Sequence, residues 1–197
     1  MAFVRAIPLA ALPEVERQAM RLDGDVIVAG PADAAVWIPP DQPDDPGFRA
    51  SLLRPLVPAG CVVSGATAAW VYDGLCPGRR LELVAERRRR RPVRRPDLVI
   101  RFARAPERHV VTIADVRLTS IPRTLVDLAV ADACDVNRLA ALWSSVAGVR
   151  SDDERAELIE ESRAAMWRRR GAERAAGRLR AALGPEWDRP DRAAPTR

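Results

Sequence analysis

Apolar and polar positions change rhythm along this chain, and each change marks an element. Residues 14–22 (EVERQAMRL) suit a short helix, and Asp23-Gly24 behind them is a turn signal. Asp25–Ala29 (DVIVA) and Ala34–Ile38 (AAVWI) are apolar and partly β-branched around Gly30-Pro31, which predicts a small hairpin. Residues 39–47 (PPDQPDDPG) read as a linker, and residues 48–57 (FRASLLRPLV) as a helix ending at Pro55 or soon after. Cys61–Val63 is a short buried strand. Ser64 is placed to cap a helix over Ala66–Asp73, and Gly74 to end it.

Four further strands are predicted at Leu81–Ala85, Leu98–Phe102, Val110–Ile113 and Val116–Thr119. Ser120-Ile121-Pro122 opens a helix, since serine is a favoured cap and proline costs nothing in a first turn. Leu125, Leu128 and Ala129, with Val126, give that helix an apolar face. Helices follow at Val136–Val146, from Ser151-Asp152-Asp153-Glu154 through Trp167, and over the Ala172–Leu183 stripe past a break at Gly171. The tail after Gly184-Pro185 has no core residue beyond Trp187 and reads as mobile. The expected fold is α+β: a small mixed sheet of about five short strands covered by helices, with a helical C-terminal extension. Four parts are expected: an N-terminal helix and hairpin (1–45), an α+β core with a basic loop (46–135), the helical extension (136–186) and a flexible tail (187–197).

Composition narrows the chemistry. Of 197 residues, 34 are Ala and 48 are Leu, Ile, Val or Phe, enough for a modest core. All 32 basic side chains are Arg, which a GC-rich coding bias accounts for. The lack of Lys excludes a Schiff base and a Walker-type phosphate lysine. His109 is the one histidine, so a His-rich metal site is excluded and a Ser-His-Asp triad has a single candidate base. Cys61, Cys76 and Cys134 form no C-x-x-C pair, which fits a reducing, cytoplasmic setting better than a disulfide framework. No apolar run reaches membrane-spanning length, and Arg5, Pro8 and Pro13 interrupt any signal peptide, so no membrane partner is expected.

Charge is concentrated. Residues 1–78 carry a net −4, residues 79–104 a net +8 and residues 105–197 a net +1. The centre of the basic block is Arg87, Arg88, Arg89, Arg90 and Arg91, followed by Arg94 and Arg95. Pro92 and Pro96 disfavour a continuous helix there, and the segment reads as a loop at the end of a hairpin. Guanidinium forks match phosphate, so these seven residues are the candidate nucleic-acid contacts, to DNA first and RNA second. The alternative is a solvated loop. No aromatic residue lies inside the loop, so base stacking is not expected there.

Arg123 and Asp127 sit four apart on one helix and are expected to pair structurally, because no second acid is visible for catalysis. Asp23-Gly24-Asp25 reads as turn chemistry rather than a metal site. No catalytic residue, metal or cofactor is assigned, and the chain is expected not to be an enzyme. The apolar stripes of the last two helices are expected to pack on the core or on a second copy, which makes a homo-oligomer a candidate.

Two stretches carry a family resemblance. One is Val62-Val63-Ser64-Gly65-Ala66-Thr67-Ala68-Ala69-Trp70 with Gly74-Leu75. The other is the run from Val116 to Ala129 (VRLTSIPRTLVDLA), in which Ser120, Pro122, Arg123 and Asp127 stand out. With Leu22-Asp23-Gly24-Asp25, Pro43-Asp44-Asp45 and Arg49-Ala50 upstream, this order resembles the core domain of actinobacterial AbiEi-like antitoxins of type IV toxin–antitoxin systems, over residues 20–135. The resemblance implies a cytosolic, non-enzymatic protein with an N-terminal winged helix-turn-helix for promoter DNA and a nucleotidyltransferase toxin as partner. A three-helix DNA reader needs roughly twice the length found before the hairpin, so residues 1–45 read as a truncated remnant of one. The second reading is a protein-interaction module that acts only through a partner, and the third an unusual nucleic-acid enzyme.

Overall fold

The α2 helix (Pro46–Leu53) starts on residues that the sequence pattern assigns to a linker. Asp45 accepts the Phe48 N–H at 2.8 Å, and Pro46 fills the first turn, where no N–H is needed. In this computed structural model, which describes residues 12–85, 95–166 and 170–188, the fold is α+β as expected. The Trp167 end of the sixth helix and the tail from residue 189 lie outside the described residues.

The N-terminal part is α1 (Glu14–Asp23), ended by Gly24 at φ +82°, and the antiparallel pair β1 (Ile27–Ala29) and β2 (Val36–Ile38). Five further strands make one mixed sheet: β3 (Cys61–Val63), β4 (Leu81–Ala85), β5 (Leu98–Phe102), β6 (Val110–Ile113) and β7 (Val116–Thr119), in the order β5-β4-β3-β7-β6. β3 lies at the centre, antiparallel to β4 and parallel to β7. β6 and β7 form a hairpin whose two-residue turn, Ala114-Asp115, has φ +46° and +63°. Positive φ at both turn positions matches the twist of the flanking strands, although neither residue is glycine.

β4 and β5 correct the sequence expectation. They run parallel, with Leu81 opposite Leu98 and Ala85 opposite Phe102. Parallel neighbours need a connection that returns the chain to the end where it began. β4 and β5 are therefore not the two arms of a hairpin. Two five-residue strands, each with four apolar residues and one charged one, can pair in either direction, so alternation alone cannot distinguish the two.

The helices build two apolar clusters. α2 and α3 (Gly65–Asp73) cover the sheet through Leu53, Val63, Val71, Leu81, Leu83 and Leu118. The second cluster joins α4 (Ile121–Val130), α5 (Val136–Ala147), α6 (Asp152–Met166) and α7 (Ala172–Leu183) through Leu125, Leu139, Leu142, Ile159 and Leu179. The last two helices thus pack on the chain's own core. α3 serves both clusters: Ala68, Trp70 and Val71 face the first and Ala69 the second. At the start of α6, Ser151 and Glu154 cap each other reciprocally, as three acids in the first turn suggest. Trp187, at the start of the predicted tail, is buried in the second cluster under the Arg163 guanidinium.

Candidate nucleic-acid interface

Of the seven predicted phosphate contacts, Arg87, Arg88, Arg89, Arg90, Arg91 and Arg94 lie outside the described residues. Arg95 lies inside, and a carboxylate already engages it: its Nε donates to Asp97 Oδ1 at 3.0 Å. This bond holds the Asp97 carboxyl below the usual carboxylate range. The other described arginines of the basic block divide into two groups. Arg79 pairs with Asp33 and Arg101 with Glu82. Arg80 and Arg104 are exposed and form no ion pair among the described residues.

Register adds a residue that sequence reasoning missed. Phe102 closes β5 at the outer edge of the sheet and is 42% exposed. It lies opposite Ala85, the last residue of β4, and Arg87–Arg91 begin two residues further along the chain. The sequence separates Phe102 from Ala85 by sixteen residues; the parallel pairing of β5 with β4 sets the two side by side.

The run from Val116 to Ala129 forms β7 and most of α4. Thr124 Oγ1 lies 2.9 Å from the Ser120 carbonyl and 3.1 Å from that of Thr119, tying the helix to β7. Ser120 stands at the N-cap, but its side chain makes no capping bond and its Oγ is buried without a partner. Pro122 is buried in the first turn. Arg123 and Asp127 pair as expected: Nε reaches Oδ1 at 3.0 Å and Oδ2 at 3.1 Å, with each side chain 6% exposed.

The structure also brings in the second acid that the sequence did not reveal. Glu82 faces Asp127 across a cleft of about 540 Å³, lined also by Gly65, Arg101, Leu128 and Arg138. Burial raises the Glu82 pKa, and the Asp127 charge pushes it the same way. Arg101, at 3.2 Å, and the Ala66 N–H oppose that shift. Glu82 thus lies at the N-terminal end of α3, where Ser64, the cap that the sequence offers, makes no side-chain capping bond. Gly65 leaves room for it: a Cβ there would meet Glu82 Oε2 at 2.0 Å, and φ is +57°. The one sequence signal for this role is an acid inside an otherwise apolar strand, LELVA.

Other polar side chains around α3 are structural. Arg49, 5% exposed, donates to the Val71 carbonyl at 3.0 Å and the Tyr72 carbonyl at 3.3 Å, closing the C-terminal end of α3, and pairs with Asp44. Asp73, whose side chain has no exposed surface, pairs with Arg138 of α5. Burial pushes the Tyr72 hydroxyl pKa up, and that hydroxyl donates to the Thr119 carbonyl at 2.7 Å. Among the described residues no group of three His, Cys, Asp or Glu side chains could hold a metal ion, and no helix is long and apolar enough to cross a membrane. No protein-family model and no curated protein matches the chain.

Proposed function

We propose that this chain is a non-enzymatic, cytoplasmic regulator of the AbiEi-like antitoxin type that contacts nucleic acid through its arginine-rich segment and neutralises a nucleotidyltransferase partner. One observation carries the nucleic-acid part. Residues 86–97 hold seven Arg and two acids, a net +5, which equals the net charge of the whole chain. The rest of the sequence sums to zero, and there Arg49, Arg123 and Arg138 are tied to buried carboxylates or helix ends. The antitoxin part rests on the resemblance carried by the runs Val62–Trp70 and Val116–Ala129.

The test is binding of labelled DNA and RNA across a salt series. About three to five phosphate contacts give a slope of log affinity against log salt of roughly −3 to −4.5 on duplex DNA. The Arg88→Ala/Arg89→Ala/Arg90→Ala variant should flatten that slope by about two to three units, since each phosphate contact contributes about one. A parent protein that binds neither DNA nor RNA at ~50 mM salt, where such contacts are strongest, removes nucleic acid from the account. The protein-interaction reading then leads. It has its own support: Val15 and Leu22, each 81% exposed, lie seven apart on one side of α1, which buries none of its residues.

A further inference from the structure

The α1 helix turns an apolar stripe away from the rest of the described residues. At about 100° per residue, Val15, Ala19 and Leu22 fall within an arc of about 60°. All three are exposed, Val15 and Leu22 at 81%. Arg17 lies on the opposite side of the helix, with its guanidinium 5.9 Å from the centre of the Trp37 ring. That contact ties one side of α1 to β2 and leaves the stripe facing outward. Ile27 and Val28 of β1, just behind Gly24 in the chain, are exposed as well. A helix of ten residues that buries none of them is marginal by itself, so a partner that covers the stripe stabilises it.

Charge selects the partner. Glu16 and Asp23 border the stripe on one flank and Glu14 on the other, while Arg21 lies further round toward the Arg17 side. Glu16 and Asp23 are exposed and form no ion pair among the described residues. Residues 12–45 hold eight acids and two Arg, a net −6, in a chain whose total is +5. A second copy fits poorly. Packed antiparallel through their stripes, two α1 helices set the Glu16–Asp23 flank of one against the same flank of the other; packed parallel, Glu16 meets Glu14. An anionic lipid surface is repelled by the same acids. We infer that α1 docks a basic amphipathic helix of a partner protein, which lays an apolar stripe on Val15, Ala19 and Leu22 and sets Arg or Lys beside Glu16 and Asp23. The inference does not depend on the nucleic-acid contacts; it adds a surface and a partner chemistry to the proposed protein-binding role.

The experiment titrates the full chain into a labelled synthetic helix with leucines at i, i+3, i+4 and i+7 and lysines on both flanks, followed by fluorescence anisotropy. One control peptide has the same composition in scrambled order; the other has glutamate in place of each lysine. The lysine-flanked helix should bind at least about tenfold more tightly than either control. Val15→Ser with Leu22→Ser should weaken it at least about tenfold, since both remove apolar surface from the contact. Glu16→Gln with Asp23→Asn should weaken it about 2- to 30-fold and lower its salt dependence. These variants change exposed side chains only, and far-UV circular dichroism confirms that each is folded. Equal binding of the scrambled peptide overturns docking on the stripe, and so does a folded Val15→Ser/Leu22→Ser protein that binds as the parent does. A parent that does not bind the lysine-flanked helix overturns the inference outright. Concentration-dependent mass of the protein alone in sedimentation, abolished by Leu22→Ser, assigns the stripe to a second copy and overturns the partner helix. Nucleic-acid binding is judged separately, by the salt series above.

Discussion

Replacing Arg123 by Met leaves the Asp127 carboxylate buried without the guanidinium that faces it. Both side chains are 6% exposed, and the two contacts are 3.0 and 3.1 Å. Removing one member of such a pair costs about 3–5 kcal/mol. The upper part of that range applies here, because Glu82 adds a second negative charge close enough to Asp127 to feel it. The reverse change is milder. Asp127→Asn keeps an acceptor for Arg123 and relieves the repulsion on Glu82, so the loss should be about 1–2 kcal/mol. The double change Arg123→Met/Asp127→Leu removes both charges at similar volume and should fall within about 1 kcal/mol of the parent. Urea unfolding at neutral pH, followed by far-UV circular dichroism and tryptophan fluorescence, reads these differences. With a slope of about 2 kcal/mol/M, the Arg123→Met midpoint drops by roughly 1.5–2.5 M. An Arg123→Met cost below about 1 kcal/mol, or a double variant no more stable than Arg123→Met, refutes the argument that the pair is a buried structural tie.

Two further outcomes are expected. Because burial raises the folded-state pKa of Glu82, the stability it gives is complete below its unfolded value and is lost as pH rises through the folded one. A Glu82→Gln protein should gain melting temperature over the parent as pH rises from about 4 to neutrality, and a constant difference across that range contradicts the assignment. In the β6–β7 turn, Ala114→Asn with Asp115→Gly places residues that accept φ +46° and +63°. The urea midpoint should rise by the equivalent of about 1 kcal/mol; a fall shows that the turn is not strained.

Much of the fold is legible from local pattern, because its elements are short and sharply punctuated. Gly24 and Gly74 stop their helices in the left-handed conformation as predicted, and the Ser151-x-x-Glu154 spacing forms its cap. The Arg123–Asp127 pair is equally local, being set by four residues on one helix. What escaped is non-local. The direction of β5 depends on which neighbour it joins, and alternation is blind to that. Glu82 reaches the N-terminal end of α3 because Gly65 leaves the space, a juxtaposition that no spacing along the chain reveals. Phe102 comes to lie beside Ala85 for the same reason, through register alone.

The α3 helix has a consequence for how the molecule comes apart. Six of its nine residues are buried, with apolar side chains directed into both clusters. A helix apolar on all sides has no face to give to water. It gains its packing only when sheet and C-terminal bundle are both present, so neither half keeps a complete core without the other. Opening of either one exposes α3, which makes it the thermodynamic weld of the fold: its amides exchange with solvent only when the whole molecule unfolds, while α1 at the other extreme, with nothing buried, can fray alone.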